Sequence, residues 1–314
     1  MLRINTHNTN PNFTIVLPGA CQAKCNFCEW EKKTVNEEKA FLAGLEFSLE
    51  NLPDNFKQIS ISGGEPLLSP VFDKALRLIN KYKNANKFNK VVLTTNGNEF
   101  LNKFIFSRLN GIDFVNISRH AISDITNEEI FETKDIPNKY DLHLINSNLK
   151  RYCFTPNINC VVTDEMELSI FKWIDFLESV NVNSISFRNQ YNDFSINKME
   201  AFLRENDCIS IMEECPVCET TIFKIGNYRI KFHKSSFEPT EVFEELPAFG
   251  LDEVYEVILQ SDGVLSSDWK GNKILHTPTT SEFIESLKLT RISSIQDDSD
   301  DSDGYIGCGG YSSC

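Results

Sequence analysis

The sequence predicts an α/β fold built on parallel strands. Short apolar strands alternate with amphipathic helices through the first two thirds of the chain, and this unit repeats six times in about 190 residues. Parallel neighbours need long crossover connections, which the helices supply. Six such units form either an open sheet or a partial barrel. In both, the loops after the strand ends lie along one edge, where ligands bind.

Each element follows from its own pattern. Runs of five to seven residues rich in apolar and β-branched side chains predict strands at 12–18, 58–62, 90–95, 113–118, 156–162 and 184–188. Helical spacing of apolar residues predicts helices at 37–52, 70–83, 100–109, 126–132, 135–150 and 164–180. Ser69 and Pro70 are residue types preferred at the N-cap and first position of a helix, here the second one.

The pattern changes near residue 208. Alternating residues at 221–232 flank Gly226-Asn227, and those at 253–269 flank Ser261-Asp262-Gly263, so each segment predicts a β-hairpin. Residues 293–304 are acidic, serine-rich and poor in apolar side chains, which predicts a disordered tether. The predicted division is a barrel at 1–195, a small, mostly β subdomain with a candidate auxiliary metal site at 196–290, and an acidic tether with a Gly/Cys/Tyr-rich tail at 291–314.

The amino-acid composition indicates which classes of binding partner to expect. The chain is 41% hydrophobic and 24% charged, with a net charge of −14. An acidic protein repels phosphate backbones, so no nucleic-acid partner is expected. We find no apolar run long enough to cross a bilayer and no signal peptide, which predicts a cytoplasmic protein without membrane contact.

Ten cysteines are many for such a protein, and clustered cysteines in a reducing compartment indicate metal or redox sites. Cys21, Cys25 and Cys28 have the spacing C-x-x-x-C-x-x-C directly after the first strand. Three thiolates in one loop can each hold one iron of a cubane and leave the fourth iron open. A zinc site and a chance loop of thiols are the alternatives; zinc needs a fourth protein ligand, and the nearest histidine is His7. By contrast, the isolated Cys153 and Cys160 are expected to be small buried residues.

These residues resemble the signature of the radical S-adenosylmethionine (SAM) superfamily. Phe27 precedes the third cysteine, as an aromatic residue usually does in that family, and the sequence SGGEP at 62–66 is similar to the family's GGEP motif. The six strand–helix units fit its partial (β/α)6 barrel. The resemblance covers about residues 12–190 and extends to MoaA-like and SPASM-type peptide-modifying members.

The resemblance implies the cofactors and the chemistry. Cys21, Cys25 and Cys28 would hold a catalytic 4Fe-4S cluster whose open iron chelates the methionine part of SAM. Reductive cleavage of SAM would then give a 5′-deoxyadenosyl radical that removes a hydrogen atom from a substrate. The residues implied to contact SAM lie beside the cluster or at strand ends: Phe27, Gly63, Gly64, Glu65, Ser118, Asn159 and Arg188. Trp30 and His120 are expected to be structural.

A second group of cysteines lies toward the C-terminus. Four of these five residues suffice for an auxiliary iron–sulfur cluster or a zinc ion: Cys208, Cys215, Cys218, Cys308 and Cys314. A free C-x-x-C pair and an unbound tail are the alternative. A further interpretation is that the tail YIGCGGYSSC closes over the barrel mouth or is itself modified.

The sequence therefore favours a radical SAM enzyme acting on a peptide or protein, as in natural-product peptide maturation. A reducing partner such as flavodoxin or ferredoxin is expected. Two alternatives stay open: a radical SAM enzyme of small-molecule cofactor or nucleotide metabolism, and a non-catalytic iron–sulfur or zinc protein.

Overall fold

The structure of the chain is a computed structural model. It describes residues 5–6, 12–25, 27–28, 38–51, 56–162, 167–189, 195–205, 209–215, 220–234, 253–254, 257–269, 271–272, 274–277 and 290–291.

Helices and strands alternate along most of these residues. The α-helices are Glu38–Asn51 (α1), Phe72–Asn84 (α2), Asp124–Phe131 (α3), Lys139–Arg151 (α4), Ile170–Ser179 (α5) and Ser195–Arg204 (α6). The strands are Asn5–Thr6 (β1), Asn12–Leu17 (β2), Gln58–Gly63 (β3), Lys90–Thr95 (β4), Phe114–Ser118 (β5), Thr155–Val161 (β6), Ser184–Arg188 (β7), Ser210–Cys215 (β8), Thr220–Ile225 (β9), Tyr228–His233 (β10), Glu253–Val254 (β11), Val257–Leu259 (β12), Leu265–Ser266 (β13), Ile274–His276 (β14) and Thr290–Arg291 (β15).

One large sheet organises the molecule. Its strand order is β14-β13-β12-β2-β3-β4-β5-β6-β7-β10-β9-β8, and β2 through β7 are all parallel. These are the six strands that the sequence predicts, in chain order, so the α/β class is confirmed. A second small sheet joins β1 to β11 and β15.

The large sheet is curved. Lys90 of β4 and Arg229 of β10 would be about 19 Å apart in a flat sheet, since three strands separate them. Yet the charge of Arg229 is, after burial, a cause that lowers the pKa of the Lys90 ammonium. The two side chains therefore approach each other across a concave face, as expected for a partial barrel with unpaired ends.

The two faces of the sheet differ in polarity because side chains alternate along a strand. One face carries buried apolar residues that form the main core with the helices, including Ile15, Ile61 and Leu93. The other face carries polar residues that hydrogen-bond from strand to strand. Asn157 Nδ2 donates to Asn116 Oδ1 at 3.0 Å, and Ser184 Oγ donates to Asn157 Oδ1 at 2.7 Å. The concave face therefore carries a band of amides and hydroxyls, next to buried apolar side chains such as Val92 and Phe114.

Both predicted hairpins form, and both extend the large sheet. The first is β9 with β10, and it turns at Gly226, whose φ is 58°. β10 continues the sheet by pairing in parallel with β7. The second is β12 with β13, and β12 pairs in parallel with β2 at the opposite side. The division of the chain into three parts stays a prediction, and residues 292–314 lie outside the described residues.

Local details differ from the sequence-based expectation. The segment predicted as a helix at 100–109 forms two 3-10 turns, Asn98–Leu101 and Lys103–Arg108, because Asn102 between them is extended. Ser69 does not cap α2. Its hydroxyl instead donates to the carbonyl of Pro18 at 2.5 Å, and α2 begins at Phe72. Ser69 thus holds the loop that leads into the first cysteines.

Among the described residues, no helix combines the length and the apolar composition that crossing a membrane requires.

Candidate active site

The three clustered cysteines lie in the loop after β2, at the carboxyl edge of the sheet. Cys21 and Cys25 are partly buried and Cys28 is exposed. The backbone N–H of Cys28 donates to the carbonyl of Cys25 at 3.1 Å, which closes a turn between these two cysteines. The N–H of Lys24 donates to the carbonyl of Phe131 at 2.9 Å, which fastens the loop to the end of α3.

The three thiols influence one another electrostatically. Burial, together with the charges of Cys28 and Cys21, raises the pKa of Cys25 to about 12. Burial also raises the pKa of Cys21, with Cys28 again among the causes. Three thiolates this close repel one another, so a nearby positive charge is needed to stabilise the deprotonated form of all three. Iron supplies such charge, so the loop has the chemistry of an iron–sulfur ligand set.

Two further observations test the fit of the implied cofactors. Among the described residues, no three His, Cys, Asp or Glu side chains surround the position of a single metal ion. A cubane does not require this, since each cysteine binds a different iron. Next to Cys21, the Oε1 atom of Gln22 is buried and accepts no hydrogen bond. A buried acceptor without a donor fits a site that receives a ligand carrying N–H groups, such as the amino group of SAM.

The glycine motif lies directly against the cysteine loop. Gly63 ends β3 with φ at 142°, and a Cβ at this position would lie 2.6 Å from the carbonyl oxygen of Leu17. Only glycine fits there. The N–H of Glu65 donates to the carbonyl of Ala20 at 3.0 Å, so the two loops are hydrogen-bonded together.

The carboxylate of Glu65 is fully buried and binds the protein itself. It accepts hydrogen bonds from Thr95 Oγ1 at 2.7 Å, from the N–H of Asn96 at 2.8 Å and from the N–H of Leu67 at 3.1 Å. Burial nevertheless raises its pKa to about 7 against these hydrogen bonds. The side chain therefore joins the loops after β3 and β4.

The structure brings together three residues from the ends of β5, β6 and β7. Ser118 and Asn159 lie opposite each other in the register of β5 and β6. Arg188 Nε donates to Asn159 Oδ1 at 3.3 Å. A hydroxyl, an amide and a guanidinium from three strands thus form one polar group at the carboxyl edge.

An aromatic group lies behind the third cysteine. Phe27 meets the ring of His120 edge-on, with centroids 4.9 Å apart, and His120 stacks on Phe131 at 4.8 Å. His120 Nδ1 accepts a hydrogen bond from the N–H of Val161 at 3.0 Å. His120 therefore joins β6, α3 and the cysteine loop. Trp30, considered with it from the sequence, lies outside the described residues.

Sequence reasoning missed several contacts at this edge. Gln22 Nε2 donates to Asn96 Oδ1 at 3.1 Å, and Asn96 Nδ2 lies 4.0 Å from Cys21 Sγ. Arg119 is almost fully buried and donates to the carbonyl of Ala121 at 2.6 Å and to Asp124 Oδ1 at 2.7 Å. The only signal for Asn96 is its place at the end of a strand, and Gln22 carries none.

His120 gives the first testable prediction, which concerns acid stability. Burial, with a smaller contribution from Arg119, lowers the pKa of His120 to about 3. Below the usual histidine pKa of about 6.5, His120 is protonated in the unfolded chain but stays neutral in the folded chain. The free energy of unfolding therefore falls as pH drops. At pH 5 the cost is about 2 kcal/mol. His120→Asn should remove most of this loss between pH 7 and pH 5, measured by urea unfolding of the metal-free protein.

The readout is the difference between the two pH values, because losing the ring costs packing energy at both. His143→Asn is the matched control, since His143 is exposed on α4. An unchanged difference in His120→Asn would show that this histidine is not buried in its neutral form.

The remaining cysteines divide into described and undescribed residues. Cys160 is buried, as predicted, whereas Cys153 is exposed, so that prediction was wrong for Cys153. Cys153 lies in the turn after α4, where its φ is 65°. Of the candidate auxiliary ligands, Cys208, Cys218, Cys308 and Cys314 lie outside the described residues, and for Cys215 only the backbone, in β8, is described.

Comparisons with known proteins agree with this arrangement. Residues 14–125, which include the cysteine loop and the glycine motif, match a family described as a 4Fe-4S single cluster domain. No curated protein matches the chain by sequence.

Solved structures share the fold. Streptococcus suis SuiB bound to S-adenosylmethionine is 16% identical, with a TM-score of 0.58 over 88% of this chain and 65% of that chain. SuiB bound to its precursor peptide SuiA has a TM-score of 0.56 at 16% identity, over 93% and 64%. Native anSMEcpe with bound AdoMet and Cp18Cys peptide has a TM-score of 0.55 at 16% identity, over 88% of this chain and 80% of that chain. The chain thus spans slightly less than two thirds of the length of SuiB.

At this level of identity the likeness to solved structures is one of fold. The family match over residues 14–125 includes both the cysteine loop and the glycine motif beside it. The chain therefore shares the fold of these solved structures, and its residues 14–125 match a 4Fe-4S single cluster domain.

Proposed function

We propose that this protein reductively cleaves S-adenosylmethionine and uses the resulting 5′-deoxyadenosyl radical to remove a hydrogen atom from a peptide or protein. The observation that carries this proposal is the hydrogen-bonded pairing of the loop of Cys21, Cys25 and Cys28 with the loop of Gly63 to Glu65. It sets a three-thiol ligand set directly beside a glycine backbone that a ligand can approach.

The residues at the carboxyl edge of the sheet are proposed to bind different parts of the two cofactors. The cysteines hold the cluster, which when bound supplies the electron that breaks the S–C5′ bond of SAM. The backbone of Gly63 and Gly64 receives the amino group of SAM. Ser118, Asn159 and Arg188 offer a hydroxyl, an amide and a cation to its ribose and carboxylate groups.

Phe27 and His120 complete the proposed cofactor site from the side of the third cysteine. Their edge-on contact fixes the orientation of the Phe27 ring. An aromatic ring held next to the cluster presents an apolar surface to SAM and excludes water from the reacting atoms.

Two features support a peptide substrate. The concave face carries a band of amides and hydroxyls, which suit a backbone rich in hydrogen-bonding groups. The fold is also shared by SuiB, solved with a precursor peptide, and by anSMEcpe, solved with the Cp18Cys peptide. A short peptide encoded beside this chain is the first substrate to test.

The electron donor is proposed to be flavodoxin or ferredoxin. Cys28 is exposed, so one corner of the ligand set lies at the surface, where a small redox protein can approach it.

The test uses anaerobically reconstituted protein, dithionite, SAM and a candidate peptide built from deuterated amino acids. We expect 5′-deoxyadenosine to form and to carry deuterium from the peptide. Formation of 5′-deoxyadenosine without deuterium transfer from any peptide would overturn the peptide substrate. Cluster-loaded protein that binds SAM and forms no 5′-deoxyadenosine would overturn the proposed reaction. Iron analysis distinguishes one cluster, with about four irons per chain, from two, with about eight.

A further inference from the structure

The side chain of Asn96 lies between the two loops of the proposed cluster site. It is buried at the end of β4, and its backbone N–H donates to the buried carboxylate of Glu65 at 2.8 Å. Its amide nitrogen lies 4.0 Å from the sulfur of Cys21, a residue 75 positions earlier in the chain. Asn96 is the described residue whose side chain connects the loop after β4 to a cysteine of the motif.

The orientation of this amide follows from its other contacts. Asn96 Oδ1 accepts from the backbone N–H of Asn98 at 3.0 Å and from Gln22 Nε2 at 3.1 Å. A backbone N–H can only donate, so the atom facing Asn98 must be the oxygen. The two N–H groups of Asn96 therefore lie on the side of Cys21.

The contact between Asn96 and Cys21 becomes a hydrogen bond to a charged sulfur when Cys21 binds iron. A cysteine that binds iron is a thiolate, and hydrogen bonds to ionised acceptors are shorter and stronger than those between neutral groups. The 4.0 Å separation is therefore expected to shorten when Cys21 binds iron. Hydrogen bonds to cluster sulfurs also set the reduction potential of the cluster.

We propose that Asn96 is a positioning residue that holds the Cys21 thiolate and, by donating to its sulfur, makes the cluster easier to reduce. The inference rests on the proposed function for the presence of the cluster. Uptake of one electron from an external reductant adds one negative charge to the cluster, with no bond formed or broken and no proton transferred. A nearby N–H donor stabilises that added charge more than the oxidised state. Removing the donor should therefore lower the reduction potential.

The test compares three variants in reconstituted, oxygen-free protein. Asn96→Leu is close in size to asparagine and removes the donor. Asn96→Asp keeps the acceptor for the Asn98 N–H, removes the donor and adds a negative charge. Asn98→Ala is the matched control, because it truncates a neighbouring asparagine in the same loop and keeps the backbone N–H that binds Asn96.

The measurement is an EPR-monitored redox titration without SAM, at matched iron content. We expect a roughly tenfold weaker equilibrium for reduction in Asn96→Leu, which is a downward shift of about 59 mV for a one-electron couple. Asn96→Asp should shift further in the same direction, and Asn98→Ala should match the original chain. A potential in Asn96→Leu equal to or above that of the original chain, or an equal shift in Asn98→Ala, would overturn the proposal.

Iron content and melting temperature distinguish a variant that binds the cluster poorly from one that folds poorly. Asn96→Leu protein that melts normally without metal but loads less iron than Asn98→Ala supports the positioning role. If it melts early, Asn96→Asp carries the test, because it retains the hydrogen bond from Asn98. Failure of the original chain to bind iron would sink the proposed function itself, whereas SAM cleavage with unchanged potentials would sink only this inference.

Discussion

Cys25→Ala should abolish the cleavage of SAM. Cys25 is the middle cysteine of the motif, and its thiol interacts with those of both Cys21 and Cys28. Two remaining thiolates cannot complete the ligand set of the cluster. Changes behind a metal ligand already cost 10–100-fold in affinity or activity, so loss of a ligand should lower 5′-deoxyadenosine formation by more than about 100-fold. Iron per chain and the visible absorbance of the cluster should fall with it.

Cys153→Ala is the control for this experiment. Cys153 is an exposed cysteine in the turn after α4, outside the site, and its replacement should leave iron content and product formation unchanged. Normal iron and normal product in Cys25→Ala would show that the motif does not hold the catalytic cluster.

Glu65→Ala should have the largest effect on stability. The buried carboxylate accepts hydrogen bonds from Thr95, Asn96 and Leu67, and alanine leaves all three donors without this acceptor. Each buried donor left unsatisfied costs about 1–3 kcal/mol, so the free energy of unfolding of the metal-free protein should fall by several kcal/mol. Urea unfolding measures this loss, and Glu99→Ala, in the neighbouring 3-10 turn, is the matched control.

Glu65→Gln removes the charge of Glu65 and keeps one of its two acceptor oxygens. Because burial raises the pKa of Glu65 to about 7, the folded chain holds a proton that the unfolded chain releases near its usual pKa of about 4.5. The stability from this group is therefore fully present below pH 4.5 and is lost as pH rises through 7. Glutamine should cost less at pH 8 than at pH 5. A cost that grows with pH would show that Glu65 is buried in its ionised form.

Much of the fold was predictable because each strand carries its own signal. Segments such as QISIS and SISFR alternate polar and apolar residues, which fixes both the strand and the face that packs against the helices. The turn at Gly226 was predictable for a similar reason, since its φ of 58° is a conformation that glycine adopts without strain. Local chemistry was sufficient in both cases.

Errors arose where a distant contact overrode a local preference. Ser69 has the residue type of a helix cap, yet its hydroxyl binds the carbonyl of Pro18, 51 positions earlier. The sequence also did not indicate which strands the C-terminal hairpins join: β10 pairs with β7, and β12 pairs with β2. An open sheet edge has unpaired N–H and carbonyl groups that any available strand can satisfy, and strand sequences do not specify which edge they join.

By itself, the sequence determined which three cysteines lie close together and which strand ends meet at one edge of the sheet. Three cysteines within eight residues remain close in any fold, and parallel strands place Ser118, Asn159 and Arg188 at one edge. Only the tertiary structure decided that Glu65 turns inward to bind Thr95 and Asn96, and that Asn96 reaches the sulfur of Cys21. Contacts between loops 30 to 75 residues apart depend on how far each strand extends and how the sheet curves, and no local pattern records either quantity.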